Sequence, residues 1–309
     1  MRILVVGAGA TGGYFGGRLA QAGRDVTFLV RPARAARLAQ SGLVIRSAFG
    51  DVTIERPKTV LAAALSDDFD LVLLNCKAYD LHAAMESFAP AVGCETLVLP
   101  MLNGMSHIES LDARFGAHRV LGGLCVISAA LDDDGAIRHL IDRHRLVLGA
   151  RRQTEAGVIR RVVSALDGAG FDARASDIIE QEMWEKWVML ATLAGATCLM
   201  RGSIGDIVQS PGGEAFILGL LEECASTARQ NAFAPRPPVL EQIQKVLTTA
   251  RSALTASMLR DMERGAPIEA DHVLGDLVRR AGEHPVPILR TAYTHTKVYE
   301  ARRAQASNA

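Results

Sequence analysis

The sequence has no excess of charge of either sign, no cysteine pairs and no long hydrophobic run. Its 309 residues include 34 basic and 34 acidic side chains, a balance that argues against a nucleic-acid surface or another polyanionic partner. The 5 cysteines are scattered without a CxxC spacing, which indicates reduced thiols in a cytoplasm instead of a disulfide framework or a zinc site. No apolar run reaches membrane-spanning length, and the first predicted strand starts at Arg2, so we expect neither a membrane span nor a signal peptide.

The N-terminal stretch, in contrast, is rich in glycine and has a defined order. A short apolar run at 3–6 reads as a strand buried on both faces, and a helical pattern and a second strand follow the glycines. The loop between the first strand and the helix consists of Gly7, Ala8, Gly9, Ala10, Thr11 and Gly12. In this setting Gly7 permits a tight turn, Gly9 allows close approach to a pyrophosphate, and Gly12 lets the helix pack on the strand. We therefore predict a dinucleotide site; an ordinary glycine-rich turn is the alternative.

The end of the second strand indicates which dinucleotide is bound. NAD sites usually have an acidic residue there, whereas this chain has Arg31, with Arg34 and Arg37 close behind. A guanidinium pairs with a 2′-phosphate that a carboxylate would repel. The sequence therefore predicts NADP(H), and solvated loop arginines are the alternative.

Beyond this unit, apolar strands continue to alternate with helical segments. Buried runs at 70–75 and 96–100 are followed by helices, and a crossover helix is predicted over 155–166. This alternation predicts an α/β fold with a mostly parallel, doubly wound sheet of Rossmann type. The rest of the chain reads as consecutive helices. We therefore predict a dinucleotide-binding domain, 1–175, and an all-helical domain, 176–309, with the substrate in the cleft between them.

Four polar positions are candidates for chemistry. Lys77 and Asn103 each follow a buried strand, where ligands bind in this architecture, although a loop lysine and a turn would leave the same pattern. Lys186 lies in an apolar helix, where a lysine either reaches solvent or enters a cleft, and Ser257 opens a polar cluster that could also be a plain helix face. The histidines lack HxxxH or HxxE spacing, so no metal is expected.

These motifs together resemble one family, the ketopantoate reductases (2-dehydropantoate 2-reductases), over nearly the whole chain. They are the glycine loop, Cys76-Lys77-Ala78-Tyr79, Leu102-Asn103-Gly104-Met105, Trp184-Glu185-Lys186, and Ser257-Met258-Leu259 with Asp261, Gly265 and Glu269. The resemblance implies NADPH-dependent reduction of 2-dehydropantoate, a 2-oxo acid, to (R)-pantoate in pantothenate and coenzyme A biosynthesis. It also implies a helical second domain similar to that of phosphogluconate dehydrogenase.

The resemblance also implies a role for each candidate. Lys186 matches the catalytic lysine, which donates to the ketone oxygen, and Glu269 matches an acidic residue that positions the lysine or the substrate. Ser257 matches a contact to the substrate carboxylate. Asn103 and Lys77 match residues at the nicotinamide and ribose side, with Asn103 also facing the substrate. Arg31 matches the contact to the 2′-phosphate.

Three departures from the family pattern concern the substrate. Leu190, Ala194 and Leu254 stand where the family usually has asparagine. Loss of amide hydrogen bonds should weaken recognition of a hydroxylated keto acid. A reductase of a more apolar 2-oxo acid is therefore the alternative, and a non-catalytic NADPH-binding regulator is the third hypothesis. We also expect a homodimer formed through the helical domain.

Overall fold

The chain folds into two compact units. The structure is a computed structural model and describes residues 1–66, 68–151 and 156–308. The first unit contains Met1–Leu102 and His107–Glu180, and the second contains Asn103–Ser106 and the chain from Gln181 onward. The predicted domain limits, 1–175 and 176–309, stay a prediction. Glu155, the predicted start of the crossover helix, and Ala309 lie outside the described residues.

The first unit contains the strands of the described chain. They are β1 (Arg2–Val6), β2 (Asp25–Leu29), β3 (Leu43–Arg46), β4 (Val52–Ile54), β5 (Thr59–Val60), β6 (Leu71–Leu74), β7 (Leu97–Pro100), β8 (Gly122–Val126), β9 (Ala129–Leu131), β10 (Ile137–His139), β11 (Arg145–Gly149) and β12 (Asp172–Ala175). The helices of this part are α1 (Ala10–Gln21), α2 (Pro32–Ser41), α3 (Leu81–Phe88), α4 (Ser106–Phe115) and α5 (Ala156–Leu166).

A parallel sheet of five strands lies at the centre of this unit. Its order is β5-β2-β1-β6-β7, which corresponds to the first five positions of the 3-2-1-4-5-6 order of a Rossmann fold and confirms the predicted α/β fold. β1 and β6 are central strands, and their apolar residues are buried, as expected where both faces of a parallel sheet are covered. The carboxyl ends of β1, β2 and β6 therefore present their loops at one edge of the sheet.

Two smaller sheets accompany the central one. A four-stranded sheet has the order β4-β3-β10-β9, and a three-stranded sheet has the order β12-β11-β8. Parallel pairing of Val98 with Val120 connects the chain before β8 to the edge of the five-stranded sheet. The sequence had predicted one mostly parallel sheet, and the structure adds these mixed extensions to it.

The second unit is helical, as predicted. Its elements are α6 (Ile179–Met200), α7 (Ile204–Gln209), α8 (Gly213–Gln230), α9 (Pro237–Leu247), α10 (Ser257–Glu263), a π-helical turn (Asp271–Gly275), α11 (Asp276–Ala281) and α12 (Pro287–Asn308). No described residue after β12 belongs to a strand. Prolines start α9 and α12, where the missing amide hydrogen costs no helical bond. In the described chain, none of the helices has the length and hydropathy that a membrane span requires.

Candidate active site

The glycine loop joins β1 to α1, and two of its glycines are required by the fold itself. Gly7 has a φ of +90°, and a Cβ there would lie 2.8 Å from the Asn75 carbonyl oxygen. A Cβ on Gly12 would lie 2.2 Å from the Gly7 carbonyl oxygen. Around Gly9, by contrast, a Cβ would meet no atom of the described chain within 4 Å. The space beside Gly9 is therefore open for a ligand to approach the backbone.

The start of α1 offers backbone donors to that space. Gly9 is the N-cap and has no side-chain cap, and the first turn contains no acidic residue. The Gly13 amide is the first to bond within the helix, to the Gly9 carbonyl at 2.8 Å. Because the amides before it have no helical acceptor and the helix dipole adds positive potential, this end of α1 suits a phosphate.

Two buried polar atoms next to the loop lack a hydrogen-bond partner within the described residues. They are Arg34 Nη2 and Asn75 Oδ1. The Arg34 Nε atom donates to the Ala8 carbonyl at 2.9 Å. Asn75 lies so close to Gly7 and Gly12 that a Cβ on either glycine would approach it within 3 Å. An unpartnered donor and acceptor beside an open glycine loop fit a dinucleotide, which carries both phosphate acceptors and hydroxyl donors. The sequence placed Asn75 only at a strand end, so this residue was missed.

Arg31, the predicted 2′-phosphate contact, is the N-cap of α2 and is largely exposed. Its Nη2 donates to Asp80 Oδ1 at 2.8 Å, while 74% of the arginine side chain stays exposed. The hydrogen bond and the charge of Asp80 raise the pKa of Arg31. Burial, and then the nearby charge of Arg37, lower the pKa of Arg34. The start of α2 thus presents an exposed cation, Arg31, and a half-buried one, Arg34.

Lys77 lies in the loop after β6, separated from the strand by Asn75 and Cys76, and is half-buried. Its carbonyl accepts the Asp80 amide at 2.9 Å, which closes the short helical turn at Ala78–Asp80. This turn holds Asp80 against Arg31. The segment after β6 therefore connects the predicted nicotinamide-side lysine with the predicted phosphate contact.

In the second unit, Lys186 and Asn103 form a direct hydrogen bond. The Lys186 Nζ atom donates to Asn103 Oδ1 at 3.1 Å. On α6 the neighbouring Trp184 and Trp187 are buried, and Lys186 itself is half-buried. The sequence alone could not decide whether this lysine reaches solvent or a polar partner. The structure shows that its ammonium meets an amide oxygen.

Ser257 and Glu269, the other two predicted residues of this unit, differ in environment. Ser257 is the first residue of α10 and is exposed, and its hydroxyl has no hydrogen bond within the described chain. Glu269 is half-buried just before the π-helical turn, and its charge acts to raise the pKa of His272. No described hydrogen bond joins Ser257 to Lys186. The structure therefore pairs Lys186 with Asn103, and places Glu269 beside the histidine that contacts Asn103.

Comparison with known proteins shows the family. A model described as Ketopantoate reductase PanE/ApbA matches residues 3–153, and one described as Ketopantoate reductase PanE/ApbA C terminal matches residues 178–300. The uncharacterized oxidoreductase YkpB of Bacillus subtilis (strain 168) is 37% identical over 305 residues, which cover 98% of this chain and 100% of that protein. The chain belongs to the ketopantoate reductase family.

Other members of the family match over similar lengths. The 2-dehydropantoate 2-reductase of Halobacterium salinarum is 28% identical and matches over 94% of this chain and 96% of its own. The crystal structure of 2-dehydropantoate 2-reductase from Geobacter metallireducens has a TM-score of 0.88 at 27% identity, covering 96% of this chain and 99% of that chain. The present ketopantoate reductase family member is therefore an oxidoreductase.

The three positions that depart from the family's asparagines lie in the second unit. Leu190 is half-buried one helical turn after Lys186 on α6, so both side chains lie on the same helix face. Ala194, a further turn along, is 4% exposed. Leu254 is half-buried, and its carbonyl accepts the Ile204 amide at 2.9 Å. The face of α6 beyond Lys186 is thus apolar in this family member.

Glu185 precedes the candidate lysine on α6 and ties this helix to Arg236, a contact that the sequence did not predict. Its carboxylate is 4% exposed and accepts two guanidinium bonds from Arg236, at 2.7 and 2.5 Å, and the Arg236 amide at 2.9 Å. Burial acts to raise the pKa of Glu185, but the bonds from Arg236 and Gln181 outweigh it, and the pKa lies below its usual value. A charged residue between two tryptophans was the signal in the sequence.

Proposed function

We propose that this family member uses NADPH to reduce a 2-oxo acid to the 2-hydroxy acid, with 2-dehydropantoate as the first substrate to test. The observation that carries the proposal is the pairing of Lys186 with Asn103 at 3.1 Å in a chain that also keeps the open glycine loop. The names of its relatives support it, since several are 2-dehydropantoate 2-reductases. With that substrate, the reaction would belong to pantothenate biosynthesis.

The residues of the chain would divide the chemistry as follows. NADPH, when bound, supplies the hydride. The Lys186 ammonium stabilises the oxygen that gains negative charge and donates a proton to it, while Asn103 holds the ammonium in one position. The exposed hydroxyl of Ser257 is suited to the substrate carboxylate. Glu269 keeps negative charge near His272 and the segment that contains Asn103.

We infer a preference for NADPH from the start of α2. Arg31 presents an exposed guanidinium there, and the half-buried Arg34 has one buried N–H group without a partner in the described structure. A 2′-phosphate would accept hydrogen bonds from such charged donors. The open space at Gly9, the α1 amides and Lys77 would then bind the rest of the dinucleotide.

A specific observation favours a second candidate substrate class. Leu190 follows Lys186 by one turn, and Ala194 and Leu254 add no amide groups, so the residues that replace the asparagines cannot pair with substrate hydroxyls. A buried site without matching donors disfavours a polar substrate. A 2-oxo acid with an apolar side chain would make better contacts. In that case the reaction stays the same and the pathway changes.

The decisive experiment is a panel of 2-oxo acids assayed with NADPH and with NADH. We expect turnover of at least one 2-oxo acid with NADPH, and Lys186→Ala should lower kcat by about 10²–10⁴ because it removes the general acid. The binding constant for NADPH should stay unchanged. Lys245→Ala, which removes an exposed lysine on α9, is the matched control.

The outcomes separate the hypotheses. Turnover of 2-dehydropantoate supports the pantothenate assignment, whereas turnover restricted to apolar 2-oxo acids supports the second candidate. Binding of NADPH without turnover of any 2-oxo acid, with Lys186→Ala identical to the parent, would favour a non-catalytic regulator and reject the proposed function.

A further inference from the structure

The turn that contains Asn103 packs directly on His272. Gly104 has a φ of +75°, and a Cβ there would lie 2.9 Å from the His272 carbonyl oxygen and 3.2 Å from the imidazole Nε2 atom. The side chain of His272 is only 8% exposed. The Asn103–Gly104 turn therefore packs against the buried His272 ring, which leaves no room for a side chain at residue 104.

His272 also bonds to both sides of this turn. Its Nε2 atom is hydrogen-bonded to the Asn103 carbonyl oxygen, and its Nδ1 atom to Ser106 Oγ at 2.7 Å. Because a carbonyl oxygen can only accept, Nε2 must carry the proton, and Nδ1 of the neutral ring accepts from the hydroxyl. Burial lowers the pKa of His272, against the opposing charges of Glu269 and Asp276, which favours this neutral form. The ring thus acts as a fixed donor and acceptor between residues 103 and 106.

The segment that carries His272 is itself attached next to Lys186. The Trp187 Nε1 atom donates to the Val273 carbonyl at 2.9 Å, and Trp187 is fully buried on α6. A π-helical turn at Asp271–Gly275 presents this carbonyl and the His272 ring. Wide π turns of this kind often accompany functional sites. Lys186 and Trp187 on α6 are therefore both connected to the segment that contains His272. Lys186 is connected through Asn103, and Trp187 through its bond to Val273.

We propose that His272 is a positioning residue for Lys186: it fixes the main chain at Asn103 and thereby the amide oxygen that holds the lysine ammonium. The inference rests on the proposed function, in which Lys186 donates to the ketone oxygen. No contact of His272 with substrate or cofactor is needed. Its effect passes through the carbonyl of Asn103, then through the Asn103 side chain, whose Oδ1 lies 3.1 Å from Lys186 Nζ.

The test is a kinetic comparison of His272 variants in two backgrounds. His272→Phe keeps a planar ring but no donor, and should lower kcat roughly 10- to 100-fold with the KM for NADPH unchanged, since misplacement by about 1 Å has effects of that size. His272→Gln, whose Nε2 amide can donate to the same carbonyl, should stay within about threefold of the parent. In an Asn103→Ala background, His272→Phe should cause almost no further loss of kcat, because the amide oxygen that connects His272 to Lys186 is already absent.

The opposite results overturn the inference. If the losses of His272→Phe and Asn103→Ala multiply, or if His272→Gln is as impaired as His272→Phe, the histidine has a general structural role only. Should His272→Phe fail to fold, Ser106→Ala is the second variant. It removes the hydroxyl that orients the ring and should lower kcat roughly threefold, again only when Asn103 is present.

Failure of the proposed function gives a different pattern. If Lys186→Ala has full activity, the role of the lysine is rejected whatever His272 does. If no 2-oxo acid is reduced, the side-chain amide resonances of Asn103, assigned by comparison with Asn103→Ala, replace the kinetic measurement. A chemical-shift change of these resonances in both His272→Phe and Lys186→Ala supports the positioning of Lys186 by His272 through Asn103. An unchanged Asn103 amide resonance in His272→Phe overturns it.

Discussion

Arg31 is the side chain on which the proposed selectivity for NADPH depends most directly. Its exposed guanidinium donates to Asp80 at 2.8 Å, so a bound 2′-phosphate would compete with the carboxylate for the same cation. We expect Arg31→Ala to raise the KM for NADPH about fivefold, as an exposed charge pair contributes about 1 kcal/mol. Asp80→Asn should lower that KM severalfold, because the repelling carboxylate is gone. Initial rates with NADPH and NADH check both changes.

The NADH data provide the internal control, since neither substitution should change the KM for a cofactor without the 2′-phosphate. Arg302→Ala, which removes an exposed arginine of α12, controls for the loss of a positive charge. Equal effects on both cofactors would remove Arg31 from the phosphate site. A higher KM for NADPH in Asp80→Asn would mean that Asp80 orients Arg31 instead of competing with the phosphate.

For individual residues, the sequence was most informative where local chemistry determines the role of a residue. It was least informative where a tertiary contact determines that role. The roles of Gly7 and Gly12 depend on turn geometry and close packing, and the local sequence pattern predicts both. The direction in which the Lys186 side chain points could not be predicted in this way, because its partner Asn103 lies 83 residues away in the chain. His272 had no motif at all, since its importance comes from a turn that only the folded chain brings to it.

At the scale of elements, the loop between β1 and α1 places folding and binding requirements on different glycines. Gly12→Ala should destabilise the protein by about 1–3 kcal/mol, because the new Cβ would lie 2.2 Å from the Gly7 carbonyl oxygen. Gly9→Ala should cost less than about 1 kcal/mol, since its Cβ meets open space. The methyl group would nevertheless occupy the approach to the α1 amides and weaken NADPH binding about tenfold or more.

Denaturant unfolding and NADPH titration of the two variants distinguish these effects, and each variant is the control for the other. A Gly9→Ala protein that binds NADPH as tightly as the parent would place the pyrophosphate away from this loop. A Gly12→Ala protein of unchanged stability would show that α1 can shift away from β1 without loss.

Element prediction succeeded for long periodic segments and missed some of the short ones. The strands of the central sheet are continuous apolar runs, and the long helices have clear spacing. β5 has 2 residues and β10 has 3, too few for a period to be recognised, and both exist because neighbouring strands supply hydrogen bonds. The π-helical turn at Asp271–Gly275 lies within a predicted helix, and its widening coincides with the contacts to Asn103 and Trp187.

For the whole molecule, the histidines whose pKa the fold lowers make the stability depend on pH. Burial is the largest cause that lowers the pKa of His144, followed by the charges of His139 and Arg18. The Tyr14 hydroxyl lies 2.6 Å from His144 Nδ1, and the Phe49 ring stacks on the imidazole at 3.9 Å between centroids. Burial likewise lowers the pKa of His272. The fold thus disfavours the protonated form of both histidines.

The sign of the resulting pH dependence follows by linkage. Below the ordinary histidine pKa of 6.5, the unfolded chain takes up protons that the folded chain resists, so the free energy of unfolding should fall as the pH falls through that value. Carboxylates with lowered pKa, such as Asp25 and Glu185, contribute only near and below their ordinary values of 3.8 and 4.5. The loss between pH 6.5 and about pH 5 therefore belongs to the histidines.

Urea unfolding at several pH values tests this assignment. His144→Gln should reduce the slope of unfolding free energy against pH in the window below 6.5, because glutamine cannot take up the proton, and His144→Gln with His272→Gln should flatten it further. His82→Gln, which replaces an exposed histidine on α3, should leave the slope unchanged. If His82→Gln and His144→Gln gave the same curve as the parent, acid sensitivity in this window would have to arise from groups other than His144. A steeper curve for His144→Gln would mean that the charged form of His144 stabilises the fold, the reverse of what its contacts with His139 and Arg18 predict.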